Sequence, residues 1–546
     1  MRISQNGSGE AMNSAQRGGR LALVLAAAIA VGTVEAADEI SYRVAAGDTL
    51  IGVAERLLAE PARWPRLQRL NRIEDPYRLP VGSALRIPVA LLKPQPRRAE
   101  VLATAGAPTA DGQALAAGAT VAAGTRIDSG DAGHVVLRLP DGSRLVLPAR
   151  SAMRIETLNG YAGTEAQDLR VQLERGRVES RVEPQRGPAA RYRVDTPTAV
   201  IGVRGTDFRV GIDAAEGASR AEVTEGRVAV KLPAARAARE REVPAGFGLV
   251  VHASGGDVVP LLPAPSMAEV PVLFEQPVLR VPLPALPGAV AWRAEIAPDR
   301  PDAAVLATER IEAGPLRVPG LEDGQYRMVL RGIDARGLEG RDGVHVFRLK
   351  ARPEPPFLGA PADRGKVVEG AVAFEWSEAP QAASYRLQLS AGENFAQPLT
   401  EVDSLKATAY QHELAPGEYR WRVQSVRPDG DRGPWGPAAA FTVRPRPQAP
   451  EPPAIGDADM TFRWSGEPGQ RFEYQFAADE GFAALRHEGA VAEPVVTLPR
   501  PGYGTYWMRV RAIDPDGFVS PWTGAQKVAV PMTFPWWILP FIPLLF

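Results

Sequence analysis

The sequence contains no cysteine, which excludes disulfide bonds, thiol nucleophiles and cysteine-ligated zinc or iron–sulfur sites. A surplus of charge is also missing, since 63 lysine and arginine residues nearly balance 64 aspartate and glutamate residues. This balance gives no electrostatic reason to expect a nucleic-acid partner. The five histidines are dispersed and form no HExxH motif, and neither a Gly-x-Ser-x-Gly turn nor a Walker-type phosphate loop occurs. We therefore expect no enzyme and predict no catalytic residue, no metal site and no cofactor.

The apolar segment near the N-terminus is too short to cross a bilayer. Residues 21–31 are uncharged, whereas a membrane-spanning helix needs about 20 apolar residues. Arg17 and Arg20 precede the segment, and small residues follow it up to Ala36, which is typical of a secretory signal peptide. We predict a signal peptide at 1–36, with Met12 as an alternative start, and a periplasmic protein. An uncleaved membrane anchor is the alternative.

Glycine and proline are abundant, with 53 and 52 residues respectively among 546. Their abundance favours many short strands joined by turns, and the length suggests roughly three to five domains. Proline-rich segments at 94–96, 263–265, 353–356 and 445–453 divide the chain. The predicted fold class is multidomain and mainly β. It comprises a small βααβ module at 40–88, a linker at 89–98, an all-β body at 99–262 and tandem β-sandwiches after it.

The last three compartments repeat one strand pattern around Tyr326, Tyr419 and Tyr506. The tyrosines are 93 and 87 residues apart, close to the size of a sandwich domain, and large apolar residues at every second position indicate strands with one buried face. The repeats resemble fibronectin type III or related immunoglobulin-like modules, which implies sandwiches at 267–350, 355–444 and 452–531. The first copy lacks the tryptophan that follows the turn in the other two, Trp435 and Trp522. Such modules are usually spacers or adhesive surfaces, and we expect spacers.

Residues 40–88 show a strand–helix–helix–strand pattern. Ile40, Tyr42 and Val44 alternate on the first strand, Asp48 or Thr49 can cap the first helix, and a second helix is predicted to start near Pro61. Apolar residues recur at the expected spacings: Leu50, Val53, Ala54, Leu57, Leu58, Trp64, Leu67, Leu70, Leu85 and Ile87. The stretch 42–50 and, further on, Asn71, 75–76, 79–82 and 85–88 resemble a LysM domain, and the matches occur in the family's order.

The LysM resemblance implies a groove that binds N-acetylglucosamine-containing glycans, and we expect peptidoglycan as the partner. Residues carried over from the family's two groove loops are Gly47, Asp48, Thr49, Leu50, Ile73, Asp75, Pro76, Tyr77, Arg78 and Leu79. Backbone groups would pair with N-acetyl groups, and apolar side chains would cover the sugar faces. Gly52, early in the first helix, costs up to about 1 kcal/mol relative to alanine. This favours weak binding, and a retained fold without glycan affinity is the alternative.

Glycine-punctuated, alternating strands are predicted from 99 to 262, with a hairpin at Asp141-Gly142. The run 195–208, together with 137–147 and 225–228, resembles the periplasmic FecR domain over 118–251. In its best-known setting that domain relays signals from an outer-membrane receptor to a sigma factor. That role needs a cytoplasmic module and a transmembrane helix, and neither is recognised in the sequence. The resemblance then implies a β scaffold for protein docking, in which Arg204 and Asp207 form an internal pair.

The C-terminal tail, 532–546, is uncharged and rich in proline and large apolar residues. A membrane contact, a docking peptide and a tail packed on the last sandwich remain open. Taken together, the sequence predicts a non-enzymatic scaffold that binds peptidoglycan through LysM and presents its β domains to an envelope protein partner. The alternatives are a signalling sensor whose FecR-like body contacts a membrane partner, and a cell-wall hydrolase or its accessory.

Overall fold

The structure is a computed structural model that describes residues 39–164, 166–184, 190–203, 205–213, 217–232, 240–252 and 255–532. The predicted signal peptide at 1–36 and the tail from 533 onward lie outside the described residues. The chain divides into two compact units. Of the described residues, those within 39–97, 157–170 and 184–192 belong to the first unit, and those within 98–156, 171–183 and 193–532 belong to the second. No helix in the described ranges has the length and apolar character needed to cross a membrane.

The first unit begins with two short helices between two strands. β1 (Glu39–Arg43) pairs antiparallel with β2 (Ala84–Pro88), and α1 (Leu50–Leu57) and α2 (Trp64–Asn71) lie between them in the chain. Thr49 caps α1 as predicted, because its hydroxyl accepts a hydrogen bond from the Gly52 amide at 3.0 Å. Pro61 begins a 3₁₀ turn, and the second helix starts three residues later at Trp64. Pro65 suits that start, since the first turn of a helix does not use its amide protons.

Apolar side chains from these elements form one core. Leu50, Val53, Leu67 and Ile87 have no exposed surface, which confirms the predicted helical and strand spacing. Further buried members come from the predicted linker and from more distant parts of the first unit: Val89, Leu91, Leu92, Ala162, Ala166 and Ala190. β3 (Pro94–Pro96) also pairs with residues 159–161. The helical module is therefore stabilised by chain segments well beyond residue 88.

The all-β body, called the β body below, is made of short strands. They are β4 (Arg98–Ala105), β5 (Thr109–Ala110), β6 (Gln113–Ala114), β7 (Thr120–Ala122), β8 (Arg126–Asp128), β9 (His134–Arg138), β10 (Arg144–Leu147), β11 (Ala152–Tyr161), β12 (Gln167–Arg175), β13 (Arg177–Arg181), β14 (Arg191–Asp195), β15 (Val200–Val203), β16 (Asp207–Ile212), β17 (Ser219–Glu225), β18 (Arg227–Lys231), β19 (Glu240–Pro244), β20 (Phe247–Val251) and β21 (Val258–Pro260). Among the described residues, one sheet has the order β21-β20-β17-β16-β13-β10-β9-β4-β7 and the other β19-β18-β15-β14-β12-β11-β8-β5-β6.

The predicted hairpin at Asp141-Gly142 joins β9 to β10. Gly142 has φ +88°, a left-handed conformation that glycine adopts without steric cost. β9 departs from simple alternation, because His134, Val135 and Val136 are consecutive and all buried. Both faces of this strand are therefore covered.

Three β-sandwiches, called the first, second and third copies, follow the β body. The first has β22 (Leu273–Phe274), β23 (Leu279–Val281), β24 (Ala291–Pro298), β25 (Ala307–Ile311), β26 (Leu316–Val318), β27 (Gly324–Ile333) and β28 (Gly343–Leu349). The second has β29 (Leu358–Ala360), β30 (Gly365–Val368), β31 (Gly370–Trp376), β32 (Ser384–Ser390), β33 (Thr400–Leu405), β34 (Ala409–Leu414), β35 (Gly417–Val426), β36 (Arg432–Trp435) and β37 (Ala439–Arg444). The third has β38 (Ala454–Ile455), β39 (Asp459–Arg463), β40 (Arg471–Ala477), β41 (Leu485–Val491), β42 (Val495–Pro499), β43 (Gly504–Ile513) and β44 (Gln526–Val530).

The repeated tyrosine plays the same part in every copy. Tyr326, Tyr419 and Tyr506 lie on β27, β35 and β43, the strands that pair with β24, β32 and β40. Each hydroxyl donates to the backbone carbonyl four residues upstream, at 2.7, 3.0 and 3.0 Å respectively. This arrangement matches the tyrosine corner of immunoglobulin-like sandwiches. The predicted fold class, mainly β with a small helical module and tandem sandwiches, is confirmed.

Lysine side chains lie at the joints between consecutive copies. Lys350 of the first copy contacts Asp431 of the second at 2.8 Å. Lys366 of the second copy contacts Asp514 and Asp516 of the third at 3.0 and 2.6 Å. Each joint therefore carries an ion pair that crosses from one copy to the next.

Candidate functional sites

The first groove loop of the helical module is braced from within by Asp48. Its carboxylate accepts hydrogen bonds from the Tyr42 hydroxyl and the Ala45 amide at 2.8 Å each, and from the Arg56 guanidinium at 2.6 Å. The Arg56 bond, followed by the Ala45 amide, lowers the pKa of Asp48 to about 2. Because its side chain is only 5% exposed, Asp48 shapes the loop and leaves little surface for a sugar.

The next two predicted contacts also point inward. The Thr49 hydroxyl is occupied as the cap of α1, and Leu50 is completely buried. The Leu50 amide donates to the carbonyl of Pro76 at 2.8 Å, so a backbone hydrogen bond ties the two predicted groove loops together. Gly47, with φ +87° and open space around its Cα, is free to approach a ligand.

A pocket of about 410 Å³ lies on the second loop. Four predicted site residues line it, Ile73, Asp75, Arg78 and Leu79. Six others do not line it: Gly47, Asp48, Thr49, Leu50, Pro76 and Tyr77. Tyr77 is 67% exposed beside the pocket, and its amide donates to Asp75 at 2.9 Å. The structure thus brings together part of the predicted set, and a role in glycan binding stays a prediction for all ten residues.

Several pocket residues were outside the predicted site, among them Val44, Asn71, Arg72, Ser83 and Ala84. The Asn71 side chain bonds both the amide and the carbonyl of Arg86, at 2.7 and 2.8 Å, and so holds α2 against β2. An asparagine at the end of a predicted helix was the available signal, because such side chains often satisfy backbone groups of a neighbouring segment.

The distinctive run at 195–208 is held by local hydrogen bonds. Thr196 accepts a hydrogen bond from the Ala199 amide at 2.9 Å through its hydroxyl. Arg204 lies outside the described residues, so its predicted pairing with Asp207 stays a prediction. Asp207 accepts a hydrogen bond from Arg181 at 2.7 Å. These contacts indicate that the run stabilises the fold of the β body.

A buried cluster of charges joins the β body to the first copy, and we call it the charged junction. The β body contributes Arg177, Glu179, Arg209 and Glu222, and the first copy contributes Arg293, Glu295, Arg331, Glu339 and Asp342. Sequence reasoning missed this cluster completely. Its members come from five strands and one loop that are distant in the chain, so no local spacing reveals them.

Arg331 is the centre of the junction. Its guanidinium donates to both oxygens of Glu179, at 2.8 and 3.2 Å, and to Asp342 at 2.6 Å. Glu339, 1% exposed, pairs with Arg331 at 3.4 Å and also with Arg177 and Arg293. Bidentate pairs of this kind have strict geometry, so they fix the register between the two domains.

The carboxyl pKa values in the junction move in opposite directions. Burial by itself raises the pKa of Glu179, but the positive charges of Arg331, Arg177 and Arg209 outweigh it and hold the pKa at about 2. For Glu222 the effect of burial prevails, and its pKa is raised. The buried glutamate Glu179 therefore stays ionised because the arginines lie next to it.

Equivalent positions explain why the first copy lacks the tryptophan. Asp342, Trp435 and Trp522 each lie 16 residues after the repeated tyrosine. Trp435 stacks on Arg422 and Trp522 on Arg509, with guanidinium carbons 4.6 and 4.8 Å from the ring centroids. The first copy has valine at the arginine position and Asp342 at the tryptophan position, where the aspartate pairs with junction arginines. The sheet face that carries these positions contacts the β body in the first copy. In the second and third copies the copy's own tryptophan covers the same face.

Comparison with protein-family models identifies two of these parts. Residues 42–88 match the LysM domain model, and residues 125–229 match the FecR protein model. Both resemblances seen in the sequence are thereby confirmed. A comparison with curated proteins found no match. Within the described residues no group of three or more histidine, aspartate or glutamate side chains is placed to hold a metal ion.

Solved structures share parts of the chain at low similarity. One is a proposed anti-sigma factor from Parabacteroides distasonis, with 22% identity, 24% of this chain covered and a TM-score of 0.20. This chain spans 57% of that protein's length. The FN1–FN3 domains of chicken CNTN1 share 13% identity over 50% of this chain and 99% of theirs, with a TM-score of 0.22. The Clostridium thermocellum CbhA fibronectin(III)-like modules share 14% over 32% and 94%, with a TM-score of 0.21. At such scores the likeness carries no argument, and the sandwich fold rests on the strand pairing and tyrosine corners described above.

Proposed function

We propose that this chain is a non-enzymatic envelope protein that binds peptidoglycan through its LysM domain and holds the β body and the three copies there as a scaffold. The observation that carries the proposal is the pocket of about 410 Å³ in the closing half of the LysM domain. Its position on the second loop agrees with the location implied by the family resemblance.

The pocket offers two kinds of contact to a glycan. Ile73, Leu79 and Val44 supply apolar surface for the face of a sugar ring, while Asp75 and Arg78 stand at the edge and can exchange hydrogen bonds with acetamido and hydroxyl groups. The Leu50–Pro76 backbone bond fixes the loop before any ligand arrives. A fixed loop lowers the entropy cost of binding, which supports useful affinity from a small contact area.

Co-sedimentation of the full chain with purified sacculi tests this proposal. Ala84 is exposed and lines the pocket, so Ala84→Trp should fill the space and weaken binding roughly tenfold or more. Ala90 is also exposed, on the 3₁₀ turn at Val89–Leu91 that directly follows β2, but it lies outside the pocket, so Ala90→Trp should change binding by less than about twofold. Equal sedimentation of the two variants would refute the pocket as the glycan site. Failure of the unaltered chain to sediment, alongside a LysM protein that does, would refute peptidoglycan binding itself.

A second candidate function is a sensor whose FecR-like body contacts a membrane partner. The match of residues 125–229 to the FecR model favours it. In-cell crosslinking through the β body should then capture a membrane protein, and a sensor is excluded if only wall-bound or soluble proteins are captured.

A further inference from the structure

A second and larger cavity lies beside the charged junction, between turns of the β body and a turn of the first copy. Its volume is about 1250 Å³, which is large enough for a ligand bigger than a single sugar or amino acid. We call it the arginine-rich cleft. It belongs entirely to the second compact unit and is separate from the LysM pocket.

The lining of the cleft is unbalanced in charge. Among the described residues, eight arginines and five carboxylates line it, which leaves an excess of three positive charges. Clefts lined by one sign of charge concentrate the electrostatic field and attract ions of the opposite sign. The chain as a whole is nearly neutral, so the excess is a local property of this cleft.

Most of the carboxylates in the cleft are already engaged. Glu222 and Glu339 belong to the charged junction, and Asp213 pairs with Arg220 at 2.5 Å. Asp334 accepts hydrogen bonds from two backbone amides of its own turn. Two more cleft arginines have carboxylate neighbours, since Arg336 lies 3.8 Å from Asp334 and Arg310 lies 3.6 Å from Glu312. The excess positive charge of the cleft therefore rests on few of its arginines.

Two arginines on the rim have no carboxylate partner among the described residues. Arg150 lies in the turn between β10 and β11 and Arg241 on β19, and both are exposed. Arg175, on the same rim, is held at 2.6 Å by Asp128, which is outside the cleft. An exposed guanidinium with unused donors is well suited to bind carboxylate or phosphate oxygens in a bidentate manner.

The turns of the cleft wall are built to stay small. Gly176 has φ +75°, and a Cβ there would lie 2.5 Å from the carbonyl oxygen of Arg150. Gly337, on the opposite wall, has φ +78°, and a Cβ there would lie 2.7 Å from the Arg220 guanidinium. Glycine at these positions lets the arginine-bearing turns come together without side chains filling the space between them.

We propose that the arginine-rich cleft binds a small ligand carrying several carboxylate or phosphate groups, with Arg150 and Arg241 as direct contacts. The junction arginines beside them, Arg177 and Arg293, are paired with Glu222 and Glu339, so the attraction for an anion rests on Arg150 and Arg241. This site does not depend on the LysM pocket or on peptidoglycan binding.

Isothermal titration calorimetry on the full chain tests the site, with tripolyphosphate and citrate as separate probes. We expect one site per chain for at least one probe, and an affinity that falls as salt is raised, because exposed charges are screened beyond about 10 Å at roughly 0.1 M salt. Binding of tripolyphosphate alone would assign a phosphate ligand, and binding of citrate alone a carboxylate ligand.

A pair of double variants separates the cleft from general charge effects. Arg150→Gln with Arg241→Gln should weaken binding at least about tenfold, since each removes a charge-assisted contact. Arg420→Gln with Arg463→Gln removes the same charge from exposed strand positions far from the cleft lining, and should change binding less than about twofold. The proposal is overturned if neither probe binds, or if both double variants bind like the unaltered chain. Because the substituted side chains are exposed and form no ion pair with another described residue, thermal unfolding should confirm that all the variants fold.

Discussion

Replacing Arg331 by methionine should open the junction between the β body and the first copy. Methionine keeps much of the stem volume and removes the guanidinium. It therefore leaves Glu179, Glu339 and Asp342 without the group that they share. Arg331 is 4% exposed, so little water can replace the lost contacts.

The size of the effect follows from burial. Removing one partner of a buried ion pair costs about 3 to 5 kcal/mol, because the opposite charge stays buried and uncompensated. Each 1.36 kcal/mol is a factor of ten in an equilibrium. The population in which the junction is open should therefore rise by roughly two orders of magnitude or more.

Hydrogen exchange measured by mass spectrometry resolves this effect by segment. Amides of β13, β16, β24 and β27 should exchange about 100-fold faster or more in Arg331→Met, while the LysM helices keep their rates. Arg327→Met is the matched control, since Arg327 lies on the same strand and pairs with Asp299, with side chains that are 46% and 24% exposed respectively. Such pairs contribute at most about 1 kcal/mol.

A double-mutant cycle with Glu179→Gln then measures the coupling across the junction. Residues in direct contact usually couple by about 0.5 to 3 kcal/mol, and a bidentate buried pair should lie in the upper part of that range. If Arg331→Met and Arg327→Met accelerate exchange equally, or if the cycle gives no coupling, the charged junction does not hold the two domains together.

Two further predictions concern buried or braced titratable groups. Burial lowers the pKa of His134 to about 4 from the usual 6.5. Between these two pH values His134 is protonated in the unfolded chain and neutral in the folded chain. The corresponding stability is complete above pH 6.5 and is lost as the pH falls toward 4, by at most about 3 kcal/mol. His134→Leu should flatten this loss in urea unfolding between pH 7 and 4, and equal pH slopes would contradict it. Asp48→Asn should accelerate hydrogen exchange in α1 by roughly tenfold, because a charged hydrogen bond of at least about 1.5 kcal/mol is lost. Glu74→Gln, an exposed control in the same domain, should have no effect, and equal rates in the two variants would contradict the brace.

The LysM fold and the sandwich repeats were accessible from sequence because their information is local. Helical spacing placed Leu50, Val53 and Leu67 in the core, and a two-residue period around each tyrosine marked its strand. The glycan contacts were harder to assign. The helical spacing predicted Leu50 as a core residue, and the family resemblance predicted it as a glycan contact. In the structure Leu50 is completely buried in the core. Burial and ligand contact compete for one side chain, and sequence spacing alone does not decide between them.

The charged junction was beyond sequence reasoning for a different reason. Glu179 and Arg331 are 152 residues apart, and only the register of two separate sheets brings them together. One local signal did exist. The missing tryptophan in the first copy marked a sheet face with a different neighbour, and the structure identifies that neighbour as the β body.

The 16-residue offset from the repeated tyrosine has a consequence for how the array can be rearranged. Asp342 can pair with the β body, whereas an indole at that position would be pressed against buried arginines without any carboxylate. Exchanging the first copy for the second would therefore uncouple the array from the β body, while exchanging the second for the third would not. The three sandwiches look like a repeat, but their order is not interchangeable, because the first copy carries the junction side chains, Asp342 among them.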